Sequence, residues 1–270
     1  MRGASRASFA ALSEQLAEAN ITSVAAATRL GNELFAVAGL FDTEHMLRRA
    51  LSDPGKPAAE KGAVAAALLH GKVAGRTEAL VVAAAESRWA SPGDLADAIE
   101  QIAIEAMVLG GDAAGTLDDL EDELFRFGRV VAAQPELRAA LASPAPVQVK
   151  QELVGALLDG KVTPVTLTLV NQLVAHPRGR QLNEALDLAA QAAARRRQQL
   201  IAVVRSAVEL SPEQRGRLAA ALAASYGHQV HLNVVIDPAV VGGISVQIGD
   251  ELIDGTAASR LAEVRRKLAG

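Results

Sequence analysis

The chain has 270 residues, of which 50% are hydrophobic and only 3% aromatic, and its formal net charge is −4. Such a chain can bury a sizeable core of closely packed helices, whereas a base-stacking surface or a global attraction to nucleic-acid phosphates is disfavoured. The absence of cysteine excludes disulfides, thiolate zinc sites and cysteine nucleophiles. The longest apolar runs, such as residues 63–69, are far shorter than the roughly 20 residues of a membrane-spanning helix. We therefore expect any contact with a membrane to go through a partner.

The first predicted element is a helix close to the amino terminus. Phe9, Leu12 and Leu16 are spaced by three and four residues, as on the buried face of a helix. The basic start of the chain, with Arg2 and Arg6, would also fit an organellar transit peptide. The apolar stripe favours the core helix over the transit peptide.

A helical unit occurs twice in the chain. Three blocks recur in the same order at offsets of 90, 90 and 89 residues: Glu33–Phe35 and Glu123–Phe125, Leu47–Pro54 and Leu137–Pro144, and Leu68–Val73 and Leu157–Val162. Three matches in one order are hard to obtain by chance, even in an alanine-rich chain. We therefore predict two tandem helical bundles, copy one at about residues 1–105 and copy two at about residues 106–198.

Within the copies, short helices are predicted between glycine and proline breakers. In copy two, leucine, phenylalanine and valine recur at helical spacing from Leu117 to Val131, and Pro135 then ends the stripe. Gly71 and Gly160 stand at equivalent positions of the two copies, where a left-handed residue would end a helix.

From Leu200 the pattern changes from helical to extended. Residues 200–208 are rich in β-branched side chains, which favour a strand. Ser211–Gln214 combines an N-cap serine, a proline at the first helical position and a glutamine that completes a capping box. These residues predict a strand followed by a helix.

Alternating apolar residues then predict two more strands at residues 230–236 and 244–248. Gly249–Asp250 is typical of a two-residue hairpin turn, leading into a short strand at Leu252–Ile253. A last helix would carry Leu261, Val264 and Leu268. The predicted fold class is mainly α, with a small α+β carboxy-terminal domain of order βαβββα at residues 199–270.

Three constellations could suggest chemistry, and each has a plainer interpretation. Gly155–Val162 matches the phosphate-loop pattern G-x-x-x-x-G-K, but it lacks the final Ser or Thr and follows a helix where a phosphate loop follows a strand. His228 and His231 would point to opposite faces of a strand and so do not predict a metal site. Arg195–Arg197 suits the negative end of a helix dipole better than a nucleic-acid site. We predict no catalytic residue, no metal and no cofactor.

The segment from residue 237 to 255 resembles the carboxy-terminal signature of the delta subunit of F-type ATP synthases, the family that includes the mitochondrial oligomycin-sensitivity-conferring protein. The matching residues are Asp237, Pro238, Gly242, Gly243, Ile244, Gly249, Asp250, Asp254 and Gly255. In this family they shape a small domain and take no part in catalysis. The resemblance covers roughly residues 106–270, so copy one has no counterpart in ordinary members.

The resemblance implies a non-catalytic stator subunit, part of the peripheral stalk, that couples rotation and proton translocation to ATP synthesis. Its helical bundle would hold the catalytic head through the amino-terminal helix of the non-catalytic alpha subunit. Its carboxy-terminal domain would hold the b subunit of the peripheral stalk. It would lie at the cytoplasmic face of the bacterial plasma membrane, attached only through partners, and bind no nucleic acid.

Copy two is continuous with the carboxy-terminal domain, so we expect it to keep the head-binding groove. Ile102 and Met107 would form one wall of this groove, and Val170 and Leu173 the other. Copy one would then be a spacer or a second clamp. The alternative class is a free-standing helical-repeat adaptor, for which copy one is the best argument. A nucleotide-binding enzyme is a distant third.

Overall fold

The computed structural model describes residues 3–198, 200–226, 230–238, 240, 242–248 and 251–254. The chain forms two compact units, which divide between residues 194 and 195. The helices up to the end of the helical part are α1 Ala4–Glu18, α2 Val24–Thr43, α3 His45–Ser52, α4 Ala58–Leu69, α5 Gly75–Glu86, α6 Pro92–Ala113, α7 Leu117–Ala133, α8 Pro135–Ala142, α9 Val147–Leu158, α10 Pro164–Ala175 and α11 Leu182–Gln198. Among the described residues, no helix is both long and apolar enough to cross a bilayer.

Local sequence signals start several of these helices. Ser23 and Ser91 accept hydrogen bonds from backbone N–H groups three residues on, at 3.2 Å and 3.3 Å, which caps α2 and α6. Gly71 and Gly160 have φ of 71° and 69° and follow α4 and α9, as predicted. The stripe that begins at Leu117 is the buried face of α7. The predicted helices of this part are therefore confirmed.

The helical unit has one hydrophobic core to which both copies contribute. The expected boundary at residue 105 lies inside α6, so the structure does not divide the copies there. The reason is the spacing of the repeat: α1, α6 and α11 begin at residues 4, 92 and 182. α6 is thus the last helix of copy one and also the first helix of copy two. The predicted end of the helical part at residue 198 matches the end of α11, whereas the compact unit itself ends at residue 194.

The second unit combines a sheet with a helix. Its elements are β1 Leu200–Ser206, α12 Pro212–Tyr226, β2 Val230–Ile236, β3 Ile244–Ile248 and β4 Glu251–Asp254. The sheet order is β2-β1-β3-β4, with β1 parallel to β2 and the other two pairings antiparallel. α12 begins with the predicted capping box, because Ser211 and Gln214 exchange hydrogen bonds of 2.8 Å and 3.2 Å.

The core of this unit consists of apolar residues from three strands and α12. They are Ala202, Val204, Leu222, Val230, Val246 and Ile248. The order β1-α12-β2-β3-β4 confirms the predicted βαβββ part of the domain. Ile248 pairs with Glu251, which leaves two residues for the β3–β4 connection. Those two residues and the predicted last helix lie outside the described part of the chain.

Candidate functional site

The four predicted groove residues lie on α6 and α10. Ile102, Met107, Val170 and Leu173 are all buried, with at most 1% of their surface exposed. They share the core of the helical unit, and α2 of copy one packs against both of their helices. The structure therefore brings the four residues into one core but does not leave them as an open groove, because α2 covers the two helices that carry them.

Small residues let α2 approach α6 and α10 closely. A Cβ atom at Gly31 of α2 would lie 2.8 Å from the Cε of Met107, which is closer than real Cβ contacts. A Cβ atom at Gly110 of α6 would lie 3.2 Å from the Cβ of Ala27 and 3.9 Å from Val165 of α10. Three helices thus meet where a larger residue would separate them.

One stripe of α2 faces α10 and the chain that follows it. Asn32, Phe35 and Gly39 recur at helical spacing on this side. Gln172 Nε2 of α10 donates a hydrogen bond of 2.8 Å to Asn32 Oδ1, and Phe35 is fully buried. α2 therefore occupies the surface between α6 and α10 as a helix bound in a groove would.

His176 extends this contact beyond the end of α10. Its Nδ1 would lie 2.9 Å from a Cβ atom at Gly39, so the ring sits against the backbone of α2. Burial lowers the pKa of His176, and the positive charge of Arg178 lowers it further, while Asp42 acts in the opposite direction. The neutral imidazole is therefore favoured at this position.

An ionic cluster with a buried centre closes the same end of the inter-copy contact. Arg178 lies between α10 and α11, and its side chain is only 5% exposed. Its acceptors on α6 are Ala96 O at 2.8 Å, Asp97 Oδ1 at 3.0 Å and Glu100 Oε2 at 2.9 Å. Its Nε also lies 3.5 Å from Asp42 Oδ1 at the end of α2. One guanidinium thus holds α2, α6 and the α10–α11 connection together.

Two more arginines complete the cluster. Arg180 pairs with Glu100, whose side chain is only 2% exposed. Arg48 of α3 lies 3.5 Å from Asp42 and donates to the carbonyl of Phe41. The cluster has three arginines and three carboxylates, and its two buried members, Arg178 and Glu100, pair with each other at 2.9 Å. Such pairing offsets the loss of water around buried charges.

In each copy, a glutamate on one helix caps the start of another. Glu33 of α2 accepts hydrogen bonds from Thr77 Oγ1 and, at 2.9 Å, from the N–H of Ala74. Glu123 of α7 accepts from the N–H of Thr163 at 3.0 Å. These bonds satisfy N–H groups that have no partner within α5 and α10. Burial raises the pKa of Glu33, but the hydrogen bonds from Thr77 and its neighbours outweigh this and lower it below its ordinary value.

The signature residues in the second unit surround the β2–β3 connection. The N–H of Asp237 donates to Ser206 O at 2.8 Å, which extends the parallel pairing of β1 and β2. Pro238 is exposed. Gly242 and Gly243 have φ of 63° and 97°, which side chains rarely allow. The glycine pair therefore bends the backbone just before β3 in a way that other residues rarely allow.

The remaining signature residues lie at the ends of strands or outside the described residues. Ile244 starts β3 opposite Ser206, and Asp254 ends β4 opposite Ser245. Gly249, Asp250 and Gly255 lie outside the described residues.

The near-phosphate-loop has the structural role that its sequence favours. Helix α9 precedes Gly160, and Lys161 Nζ donates to Leu157 O at 2.9 Å, where it caps the helix end. Within the described part of the chain, no group of three or more metal-ligating side chains is suited to hold an ion. His228 lies outside that part of the chain.

The sequence patterns did not predict the ionic cluster or the glutamate caps. Glu33 and Glu123 had a visible signal, because they open the first pair of recurring blocks. Arg178 gave none, since its carboxylate partners are 78, 81 and 136 residues away in the chain.

Comparison with known proteins identifies the class to which this architecture belongs. The family model of the ATP synthase delta (OSCP) subunit matches residues 104–268, and the chain belongs to this family. The family is that of a non-catalytic peripheral-stalk subunit. The match covers copy two and the second unit, as the signature residues implied.

Individual relatives match over the whole length. The chain is 49% identical over 272 residues to the ATP synthase subunit delta of Streptomyces griseus, with all of both chains covered. It is 48% identical over 271 residues to that of Thermobifida fusca and 44% over 273 residues to that of Acidothermus cellulolyticus, again with full coverage of both chains. These proteins therefore have a counterpart of copy one, which removes the main argument for a free-standing adaptor.

Proposed function

We propose that this chain is the delta-type stator subunit of a bacterial F-type ATP synthase. The observation that carries the proposal is the similarity of 44–49% identity over whole chains to subunits of that name. In this role the protein makes and breaks no bond. It holds the catalytic head stationary while the rotor turns, so that proton translocation is coupled to ATP synthesis.

The packing of the helical unit suits a component that must resist torque. Both copies share one core, into which α11 packs through Leu186, Ala189 and Ala193. Close packing gives protein interiors low compressibility. Force applied to one copy is therefore borne by both.

We propose that the helical unit holds the head through the amino-terminal helix of the alpha subunit, and that the second unit holds the b subunit of the stalk. The protein would lie at the cytoplasmic face of the plasma membrane and be attached only through these partners. The family resemblance of the carboxy-terminal signature supports this arrangement.

For the head helix, we favour the surface between α1 and α5 in copy one. The repeat relates α1 and α5 to α6 and α10, whose equivalent surface is covered by α2. Ala17 stands 90 residues before Met107, and Ala83 stands 89 residues before Gln172, and both alanines are partly exposed. Small side chains allow a helix to approach closely. This proposal replaces the expectation that copy two holds the head.

Co-purification tests the stator function. The chain should remain with head and stalk subunits when membranes are isolated, and a low-salt wash with a chelator should release it together with the head. Release without either partner, or retention like an integral protein, would contradict the proposal.

Peptide binding tests the choice of surface. Ala83→Glu should weaken binding of a labelled amino-terminal alpha-subunit peptide by at least about tenfold, equivalent to about 1.4 kcal/mol. Ala67→Glu, on the exposed side of α4, is the matched control and should bind normally. Unchanged binding by Ala83→Glu, with both variants folded, would contradict this choice of surface.

A further inference from the structure

We propose that Arg178 is the positioning residue of a latch that ties the base of α11 directly to copy one. The latch consists of Arg178, Arg180, Asp42, Asp97 and Glu100. Its role in an ATP synthase rests on the proposed stator function, but its resistance to force can be measured on the isolated chain. The latch assigns a role to copy one: it anchors the connection from which α11 starts.

The position of Arg178 in the chain suggests this role. α11 begins at Leu182, only four residues after Arg178, and continues past the end of the first unit. α11 also packs into the core of the helical unit through Leu186, Ala189 and Ala193, so a force along α11 is shared between these apolar contacts and the α10–α11 connection. At that point the chain is bonded to α6 and α2 through Arg178.

The latch occurs at the junction of the copies and is not part of the repeated unit. The residue 89 positions before Arg178 is Trp89, whose Nε1 donates to Ala84 O at 2.7 Å within copy one. The residue 90 positions after Asp42 is Ala132, which is exposed. The helices thus occur in both copies, whereas these ionic bonds occur where one copy meets the other.

The backbone of the connection also indicates a fixed conformation. Arg178 has φ of 49° and Gly179 of 70°. A left-handed conformation is unfavourable for a residue with a side chain and persists when its surroundings hold it there. The acceptors around the buried guanidinium, of which Glu100 is itself buried, supply that restraint.

The bonds of Arg178 are arranged so that they resist sliding of the α10–α11 connection against α6 and α2. Arg178 has separate acceptors on α6 and a carboxylate on α2, so a small displacement in any direction lengthens at least one charged contact. Breaking a buried pair leaves an unpaired charge away from water, which is strongly unfavourable.

Single-molecule pulling on the full chain tests the latch. The chain has no cysteine, so a pair of introduced cysteines defines each pulling direction. Ala63→Cys with Gln191→Cys, both on exposed sites, applies force between copy one and α11. Ala11→Cys with Ala63→Cys, also exposed, applies force within copy one alone.

The variant is Arg178→Met, and the control is Arg126→Met, which removes an exposed ion pair on α7. We expect Arg178→Met to shorten the lifetime under constant force between copy one and α11 by at least about tenfold, since it takes a charged donor from the carbonyl of Ala96 and from the buried Glu100, which keeps only Arg180. The lifetime under force within copy one should stay within about twofold, and the control should match wild type in both directions.

Equal weakening in both directions would show a general loss of stability and overturn the latch, as would an unchanged lifetime between copy one and α11. Asp42→Asn removes the negative charge that faces both Arg178 and Arg48 but leaves the acceptors on α6. It is therefore a milder test, and it should weaken the first direction more than the second. The pulling result stands independently of the stator function, whose failure would be seen in co-purification.

Discussion

Phe35 and Phe125 stand at equivalent positions of the two copies, yet Phe35 is fully buried whereas Phe125 is 52% exposed. The stripe of α2 that carries Phe35 faces α10. On α7 the same stripe is exposed, and Arg129 lies over the ring of Phe125 at 5.9 Å. Gly31 and Gly39 of α2 are replaced by Glu121 and Arg129 in α7. Copy two, the second of the two repeated bundles, thus carries charged and exposed residues on this face, as terminal repeats do.

This pair of phenylalanines provides a matched test of the inter-copy contact. Phe35→Ala should lower the free energy of unfolding by about 3–5 kcal/mol, because it leaves a cavity between the copies. Phe125→Ala should change it by no more than about 0.5 kcal/mol. Chemical denaturation of both variants measures the difference, and similar losses would show that the two stripes are not distinct.

The neutral histidine at the junction should make stability depend on pH. Because the pKa of His176 is lowered in the folded protein from 6.5, the unfolded chain takes up the proton first as pH falls. The contribution of His176 is therefore present above about pH 6.5 and is lost below it, with a slope of at most about 1.4 kcal/mol per pH unit.

His176→Gln should reduce the fall in stability between about pH 7.5 and 5.5. His45→Gln, at an exposed position on α3, is the control and should retain the wild-type slope. Parallel pH profiles for all three proteins would show that the environment of His176 does not disfavour its charge.

The glycine pair before β3 should be sensitive to substitution. Gly243→Val places a β-branched residue at φ of 97° and should destabilise the second unit by about 1–3 kcal/mol or more. The helical unit should keep its far-UV helicity, while coupling of ATP hydrolysis to proton pumping is lost.

Gly216→Val is the control in the same unit, since Gly216 lies on the exposed side of α12 with no atom near its Cβ position. It should couple normally, because valine is a better helix former than glycine. Normal coupling in Gly243→Val would mean that the strained backbone is not needed.

Removing copy one should damage copy two. Deleting residues 1–90 takes away α2, which covers the buried faces of α6 and α10, and exposes Met107 and Gly110 to water. We expect the truncated chain to bind a hydrophobic dye and to lose its sharp thermal transition. A truncated chain that melts as cooperatively as the full one would show that the copies are independent bundles.

Local features of the fold were predictable because their causes are local. Leu120 and Leu124 lie one turn apart on α7, and both are buried. Ser211 and Gln214 form the capping box that their spacing predicts. Short-range geometry decides such elements, so the sequence shows them directly.

The partner of each buried face was not predictable in the same way. Ile102 and Met107 form an apolar stripe, which predicts burial but does not say what covers it. One sequence feature could have indicated that α6 is surrounded by other helices: Ile102, Ala103 and Ile104 are three consecutive apolar residues, and all three are buried. A helix that is apolar on more than one side is surrounded by other helices, and here it serves both copies.

Sharing α6 also sets how the helical unit opens. Outer helices such as α4 and α9 can unfold locally within one copy while α6 stays folded. The centre of α6 belongs to both copies, so its backbone amides meet solvent only when the two open together. Its hydrogens should be the last of the helical unit to exchange with heavy water. The exchange rate of the amide hydrogens of α6 therefore reports the stability of both copies.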